Sequence, residues 1–294
     1  MQKKKIEVSQ IVIAIILILM CCMMLYPLLL CLGVSLSQES DVVKYGYKLI
    51  PKNFDLSGYR YVFKNSQSVI DAYKVTIFVS VVSTLSVIVV NALIAYPLSR
   101  REFKYRTFFN YYLYFTCLFS GGLVPQYILY TQYLHLADTI WVYIIPCLVG
   151  AWTVFYYRAS FQSIPDELVE SAVLDGASEW MILFKFMIPL SKPVIATMSL
   201  GFFMGKWNDW MTSMLYINDR QDLILLQYLL QKIMLNMNLL KSDTTSALFL
   251  EAAKIPSETA RMAMMFVVAG PALVIFPFFQ KYFVKGMIVG SVKG

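Results

Sequence analysis

The chain has 294 residues, of which 59% are hydrophobic and only 15% charged, and its mean hydropathy is +0.62. A soluble domain is nearer half apolar, so this composition excludes one and marks an integral membrane protein. The net charge of +7 would suit nucleic acid, but the basic residues lie in short clusters flanking apolar runs, the pattern of orientation signals, and nucleic acid is excluded as a partner.

Crossing about 30 Å of hydrocarbon takes about 20 largely apolar helical residues. Six segments meet that length, at roughly 11–33, 72–98, 107–130, 140–160, 193–216 and 262–284. The first follows Lys3, Lys4 and Lys5, but it is longer than a signal-peptide core and no small-x-small site closes it, so it reads as a span. With six alternating spans, those lysines, "SRREFKYR" (99–106), the stretch from Arg158 to Lys192, and Lys281, Lys285 and Lys293 fall on one side. The positive-inside rule makes that side the cytoplasm, with both termini there.

Within the second span, Asn91 is expected to make an interhelical hydrogen bond. Pro97, Pro125 and Pro146 are expected at bends or ends of spans. The five cysteines, Cys21, Cys22, Cys31, Cys117 and Cys147, all fall inside spans and offer no metal spacing or disulfide frame. His135 is the single histidine, which excludes a histidine-based metal enzyme, and no Gly-rich phosphate loop is present to bind ATP.

Between the fourth and fifth spans the chain turns polar. Asp166, Glu167, Glu170, Asp175 and Glu179 crowd into "DELVESAVLDGASE". Pro165, Leu168, Val169, Ala172 and Val173 recur at helical spacing on one face, with Glu167, Glu170 and Ser171 on the other. Ser163 is the predicted N-cap, the early acids suit the helix dipole, and Gly176 is the predicted stop. Ser178 and Glu179 then start a second helix that Pro189 interrupts, giving a helix-turn-helix on the cytoplasmic face. An interfacial helix that merely anchors the chain fits the same pattern, although such helices favour Lys and Arg on the polar face.

The fifth span holds "GFFMGKWNDWMTSMLY" (201–216). Gly201 and Gly205 form a small-xxx-small face suited to helix packing. Polar residues at membrane depth usually face a protein interior or wet cavity, and Trp207, Asn208, Asp209 and Trp210 combine indole faces with amide and carboxylate, the groups a sugar pathway needs. An aromatic belt at the outer interface would show the same residues. Beyond it, the long outward segment 217–260 carries helical spacing over 221–235 and reads as an external cap helix, packed on the rim or docking a substrate-binding protein.

Glu170-Ser171-Ala172, Gly176 and Phe186-Met187-Ile188-Pro189 resemble the EAA loop of bacterial ABC importer permeases, with Ser171 where Ala is preferred, Phe186 for Ile and Ile188 for Leu. "DGAS" (175–178), "IPLSKPVIA" (188–196) and the tail "FVKGMIVGSVKG" (283–294) are similar to the smaller permease of the carbohydrate-uptake, maltose-type branch. "GGLVPQYIL" (121–129) resembles its complex-saccharide, lipoprotein-like subgroup in Gram-positive bacteria. The resemblance runs from about residue 70 to the end. It implies an all-α polytopic membrane protein of six transmembrane helices with the type I ABC importer permease fold, one transmembrane domain over 1–294 with a core of about 70–284, a coupling loop of about 163–190 and a cytoplasmic tail at 285–294.

The same resemblance implies docking on an ATP-binding subunit through Glu170, Ser171, Ala172, Leu174, Asp175 and Gly176, with Glu170 facing a basic residue of that partner, Leu174 entering its groove and Gly176 permitting the bend. Its implied partners are a second homologous permease as a heterodimer, two ATP-binding subunits, an extracellular substrate-binding lipoprotein and the lipid bilayer of the cytoplasmic membrane. No cofactor is expected on this chain itself, ATP and Mg belonging to the ATPase, and the chain is expected not to be an enzyme. It would carry an oligosaccharide inward, with Trp207, Asn208, Asp209 and Trp210 as its share of the substrate pathway. An ion-coupled secondary transporter is the alternative. That class expects paired ionisable groups at mid-membrane, and only Lys206 and Asp209 approach this.

Overall fold

The computed structural model describes residues 8–242, 257–271, 273 and 277. Among them the regular structure is helical apart from an isolated antiparallel bridge between Ser37 and Phe54. The chain divides into two compact units. One takes in the described residues up to 67 and from 230 to 270, the other 68–229 and those from 271 onward.

The first unit begins with α1 (Val8–Ser35), whose side chains from Ile11 to Leu29 are exposed, as a helix surrounded by lipid requires. Two short helices follow, α2 (Glu39–Tyr45) and α3 (Ser57–Val62), and residues 257–271 form a further helical stretch. Gly58 lets α3 lie against that stretch, because a Cβ there would stand 2.7 Å from the Thr259 carbonyl carbon. Glu39 caps its N-terminus. One carboxylate oxygen accepts the Glu258 N–H at 3.0 Å, the other the Thr259 N–H and hydroxyl, both at 2.9 Å. These donors have no partner inside their own helix, and the charge suits its dipole. Glu39→Ala should therefore cost about 1–3 kcal/mol, read as a lower unfolding midpoint of the purified protein. An unchanged midpoint would show that water replaces the carboxylate.

The second unit opens with α4 (Ser66–Ser99), followed by α5 (Arg106–Leu118) and α6 (Leu123–Ile128), which runs into a π-helical turn at Leu129–Tyr133. Next come α7 (Trp141–Ile144), extended by a 3-10 turn at Ile145–Cys147, and α8 (Ala151–Gln162). The polar segment forms α9 (Asp166–Leu174) and α10 (Glu179–Ile182), a π turn at Leu183–Met187 and α11 (Ile188–Leu190). Then come α12 (Lys192–Trp207) and α13 (Met211–Tyr216), and α14 (Leu226–Ser242) begins in this unit and from residue 230 belongs to the first.

Among the described residues, Ser9–Ser35 and Gln67–Ser99 are each long and apolar enough to cross a membrane, in agreement with the first two expected spans. The next three differ from uninterrupted helices. The expected 107–130 span breaks at 119–122, and the expected 140–160 span is Trp141–Cys147 joined to Ala151–Gln162 at a 50° bend. The expected 193–216 span ends as a continuous helix at Trp207, and its start makes a 79° bend with Glu179–Leu190. The expected sixth span is described only to residue 271 and at two later positions. Its remainder, Lys3 to Lys5 and the 283–294 tail lie outside the described residues. The cap helix expected over 221–235 begins at Leu226, after a 3-10 turn at Gln221–Leu223.

Helix breaks at membrane depth leave main-chain groups without partners, and such groups must be satisfied inside the protein. At the 50° bend Asn91 does this. Its amide donates to the Leu148 carbonyl at 2.8 Å, while its own oxygen accepts the Gly150 N–H at 2.9 Å. That is the expected interhelical bond of Asn91, with main chain as its partner. At the other end of the unit Asp138 gathers the loop before α14, accepting the N–H groups of Asn218, Asp219 and Arg220 at 2.8–3.2 Å. Desolvation pushes the Asp138 carboxyl up, but the three donors and the Arg220 charge outweigh it and hold it below its ordinary value.

Candidate functional site

The helix-turn-helix of 166–190 is built largely by local rules. Pro165 (φ −56°, ψ 134°) is the residue before α9, and Asp166 and Glu167 fill its first turn. Ser163, the predicted N-cap, instead ends α8, its hydroxyl donating to the Ser160 carbonyl at 2.7 Å. The cause is Pro165, which drives the preceding residue away from helical backbone, so α9 starts only beyond it. At the other end Gly176 has φ +80°, the Gly176 N–H donates to the Val173 carbonyl at 3.0 Å and the Ala177 N–H to the Ala172 carbonyl at 2.9 Å. This pair of bonds is a Schellman stop, and its left-handed residue favours glycine. Ser178 then accepts the Met181 N–H and caps α10, as expected. Pro189 is preceded by the π turn, whose wider spacing accommodates a ring that would strike an α-helical carbonyl four residues earlier.

Burial divides α9 into two faces. Val169 and Ala172 are 3% and 7% exposed and belong to a core with Ala92, Ala95, Tyr96 and Leu98 of α4, Tyr157 and Phe161 of α8, and Ile182 and Leu183 beyond the turn. Leu168 and Val173, expected on the same apolar face, are half exposed. Glu170, Ser171, Asp175 and Gly176 are exposed, and Leu174 is 88% exposed. Of the expected docking residues, the structure thus brings Glu170, Ser171, Leu174, Asp175 and Gly176 to the surface and uses Ala172 as an internal contact.

Three features escaped the sequence reading. The Tyr96 hydroxyl donates a hydrogen bond to Glu179, tying the second helix of the loop to the end of α4. Trp180 is exposed and stacks on Phe184, ring centroids 6.3 Å apart. A cavity of about 680 Å³ opens between these parts, lined among others by Tyr96, Arg100, Glu102, Val173, Glu179 and Trp180. The i, i+4 spacing of Trp180 and Phe184 was a readable signal. The Tyr96–Glu179 bond joins residues 83 apart and had none.

Around the end of α12 the four expected pathway residues separate. Trp207 is 1% exposed, stacked on Phe203 at 6.1 Å and tilted against Tyr73 at 6.4 Å. Asp209 accepts the Thr212 N–H and hydroxyl at 3.0 and 2.8 Å and pairs with Lys206 at 3.3 Å. Asn208 is exposed and its amide donates to the Met204 carbonyl at 2.9 Å; Trp210 is 36% exposed. A Cβ on Gly201 or Gly205 would meet no described residue within 4 Å, and both line a groove of about 390 Å³ with Thr153, Thr197, Phe202 and Lys206.

The loop is thus a short acidic helix with an exposed leucine, stopped by a glycine turn, its Val169 and Ala172 sharing a core with α4 and α8 and its Glu179 bonded to Tyr96 of α4. An element packed in this way moves as a unit with the helices behind it. Residues 67–289 match the family described as binding-protein-dependent transport system inner membrane component. Protein LplC of Bacillus subtilis is 35% identical over 269 residues, covering 91% of this chain and 89% of LplC. The polygalacturonan/rhamnogalacturonan transport system permease protein YtcP of the same species is 35% identical over 268 residues, covering 91% and 92%. A chain of a bacterial ABC transporter involved in the import of the acidic polysaccharide alginate superposes with a TM-score of 0.80 at 26% identity, covering 96% of this chain and 100% of that one. By sequence over most of its length and by fold, this chain belongs to the family of binding-protein-dependent transport system inner membrane components, the permease subunits of ABC importers.

Proposed function

We propose that this chain is the smaller of two homologous permeases in a bacterial cytoplasmic-membrane importer of oligosaccharides, driven by two ATP-binding subunits and supplied by an extracellular binding lipoprotein. It is one transmembrane domain over 1–294, spans the membrane six times with both termini cytoplasmic, and docks the ATPase through Glu170, Ser171, Leu174, Asp175 and Gly176, with Ala172 seating the helix from behind. ATP and Mg stay on the partner.

The observation that carries the reading is α9 itself, a glycine-stopped acidic helix with Leu174 exposed and Val169 and Ala172 locked into the core. The transport of polygalacturonan or alginate by similar proteins supports an oligosaccharide as cargo. The face at Gly201 and Gly205, which no described residue approaches within 4 Å of an added Cβ, supports a second permease, since small residues let another helix approach closely. For the pathway the reading narrows to Asn208 and Trp210, because Trp207 is sealed and the Asp209 carboxylate is engaged.

Uptake of labelled oligosaccharides into proteoliposomes holding the whole complex and binding protein tests this. Transport should require ATP, and an imposed proton or sodium gradient alone should drive none; gradient-driven uptake without ATP would overturn the reading in favour of an ion-coupled carrier. In the same assay Trp210→Ala should cut uptake about tenfold, equivalent to ~1.4 kcal/mol. Unchanged uptake would return 207–210 to an interface belt.

A further inference from the structure

A second cavity of about 680 Å³ lies where the connection after α4 and the start of α5 meet α8, lined by Arg101, Lys104, Arg106 and Arg158 with the aromatic side chains of Phe103, Tyr111, Tyr114 and Phe155. Its charge is one-sided, with no carboxylate in the lining. Of the four cations, Arg101, Lys104 and Arg106 come from the connection after α4 and the start of α5. Arg158 arrives from α8, 52 residues further on. None of them takes part in an ion pair among the described residues, and the nearby Glu102 pairs instead with Arg100 at 3.8 Å. Arg158 is anchored by a 2.6 Å bond to Asn110, yet its Nε is buried and has no hydrogen-bond partner.

The positive-inside rule accounts for basic residues in a connecting segment. It does not require a helix residue to converge on them, or a guanidinium N–H to be buried without an acceptor, an arrangement that costs free energy until an acceptor arrives. Guanidinium groups bind phosphate oxygens through charge-assisted, often forked bonds. Tyr111 and Tyr114, amphipathic rings of the kind that collect at headgroup level, stand at 71% and 54% exposure on the same wall.

We infer that this cavity binds the phosphate of an anionic lipid headgroup, with Arg106 and Arg158 as the direct ligands and Arg101 and Lys104 supplying field. The inference rests on the reading above that places this end of the molecule at the cytoplasmic leaflet. Phe103 lines the cavity and also packs on the core that holds Val169 and Ala172, so the headgroup would sit one side chain away from the loop's seat.

The test is native mass spectrometry of the full transporter released from nanodiscs of phosphatidylcholine doped with phosphatidylglycerol. The wild type should retain phosphatidylglycerol preferentially, and Arg101→Gln with Arg106→Gln should lower that enrichment about tenfold or more, since each cation at an anionic surface contributes roughly fivefold. Arg158→Lys keeps the charge and loses the fork, so it should give a smaller loss than Arg158→Gln. Equal retention of both lipids by the wild type, or undiminished enrichment in the double variant, overturns the inference. A parallel titration with inorganic phosphate separates sources, because phosphate binding without lipid enrichment would overturn the lipid assignment. Retention is read without turnover, so failure of the transport reading leaves this result distinct.

Discussion

Leu174→Asp is expected to abolish stimulation of ATP hydrolysis by binding protein and sugar while the isolated permease keeps its unfolding midpoint. Leu174 is 88% exposed, so the substitution removes no core contact. An apolar side chain buried at the centre of an interface is worth about 2 kcal/mol or more, roughly a 30-fold weaker association. Gly176→Val is expected to act by another route. At φ +80° a β-branched side chain meets its own backbone, costing about 1–3 kcal/mol, although no neighbour lies within 4 Å of the added Cβ. The stop then unwinds and Leu174 loses its position. Gly176→Asn, which tolerates that backbone, should retain most of the stimulation. If Leu174→Asp and Gly176→Val both couple normally in the reconstituted complex, α9 is not the docking element.

The second large effect is expected at Asn91. Replacing it by Leu keeps the volume and removes the partners of the Leu148 carbonyl and the Gly150 N–H at the 50° bend. An ordinary side-chain hydrogen bond between membrane helices averages about 0.6 kcal/mol, because the separated helices find other partners. These two main-chain groups are freed by the break itself, and each buried group left unsatisfied costs about 1–3 kcal/mol. Asn91→Leu should therefore lower stability by about 2–6 kcal/mol, seen as a clear drop in the unfolding midpoint and in the yield of folded protein. A midpoint equal to that of the wild type in Asn91→Leu would mean that the bend re-forms without the bridge.

Some of this protein is decided by residues within a few positions of one another, and that part was readable from the sequence. The two long spans follow from uninterrupted apolar runs, the stop of α9 from Gly176 and the start of α10 from Ser178; the start of α9 is equally local, but Ser163 was the expected cap and Pro165 overrode it, because a proline constrains the residue before it. The remainder depends on what meets what across the bundle. Trp207 and Trp210 are the same residue three positions apart, yet one is sealed against Tyr73 and Phe203 and the other is 36% exposed, a difference set by the helices around them. Hydropathy sums over a window and cannot register a break whose free groups are satisfied from elsewhere, as Asn91 does for Leu148 and Gly150. It therefore read 140–160 as one span, with only Pro146 to mark a bend or end. Nor can it join Tyr96 to Glu179, or Arg158 to Arg106, because side chains that far apart in the chain acquire a shared environment only when the helices carrying them pack.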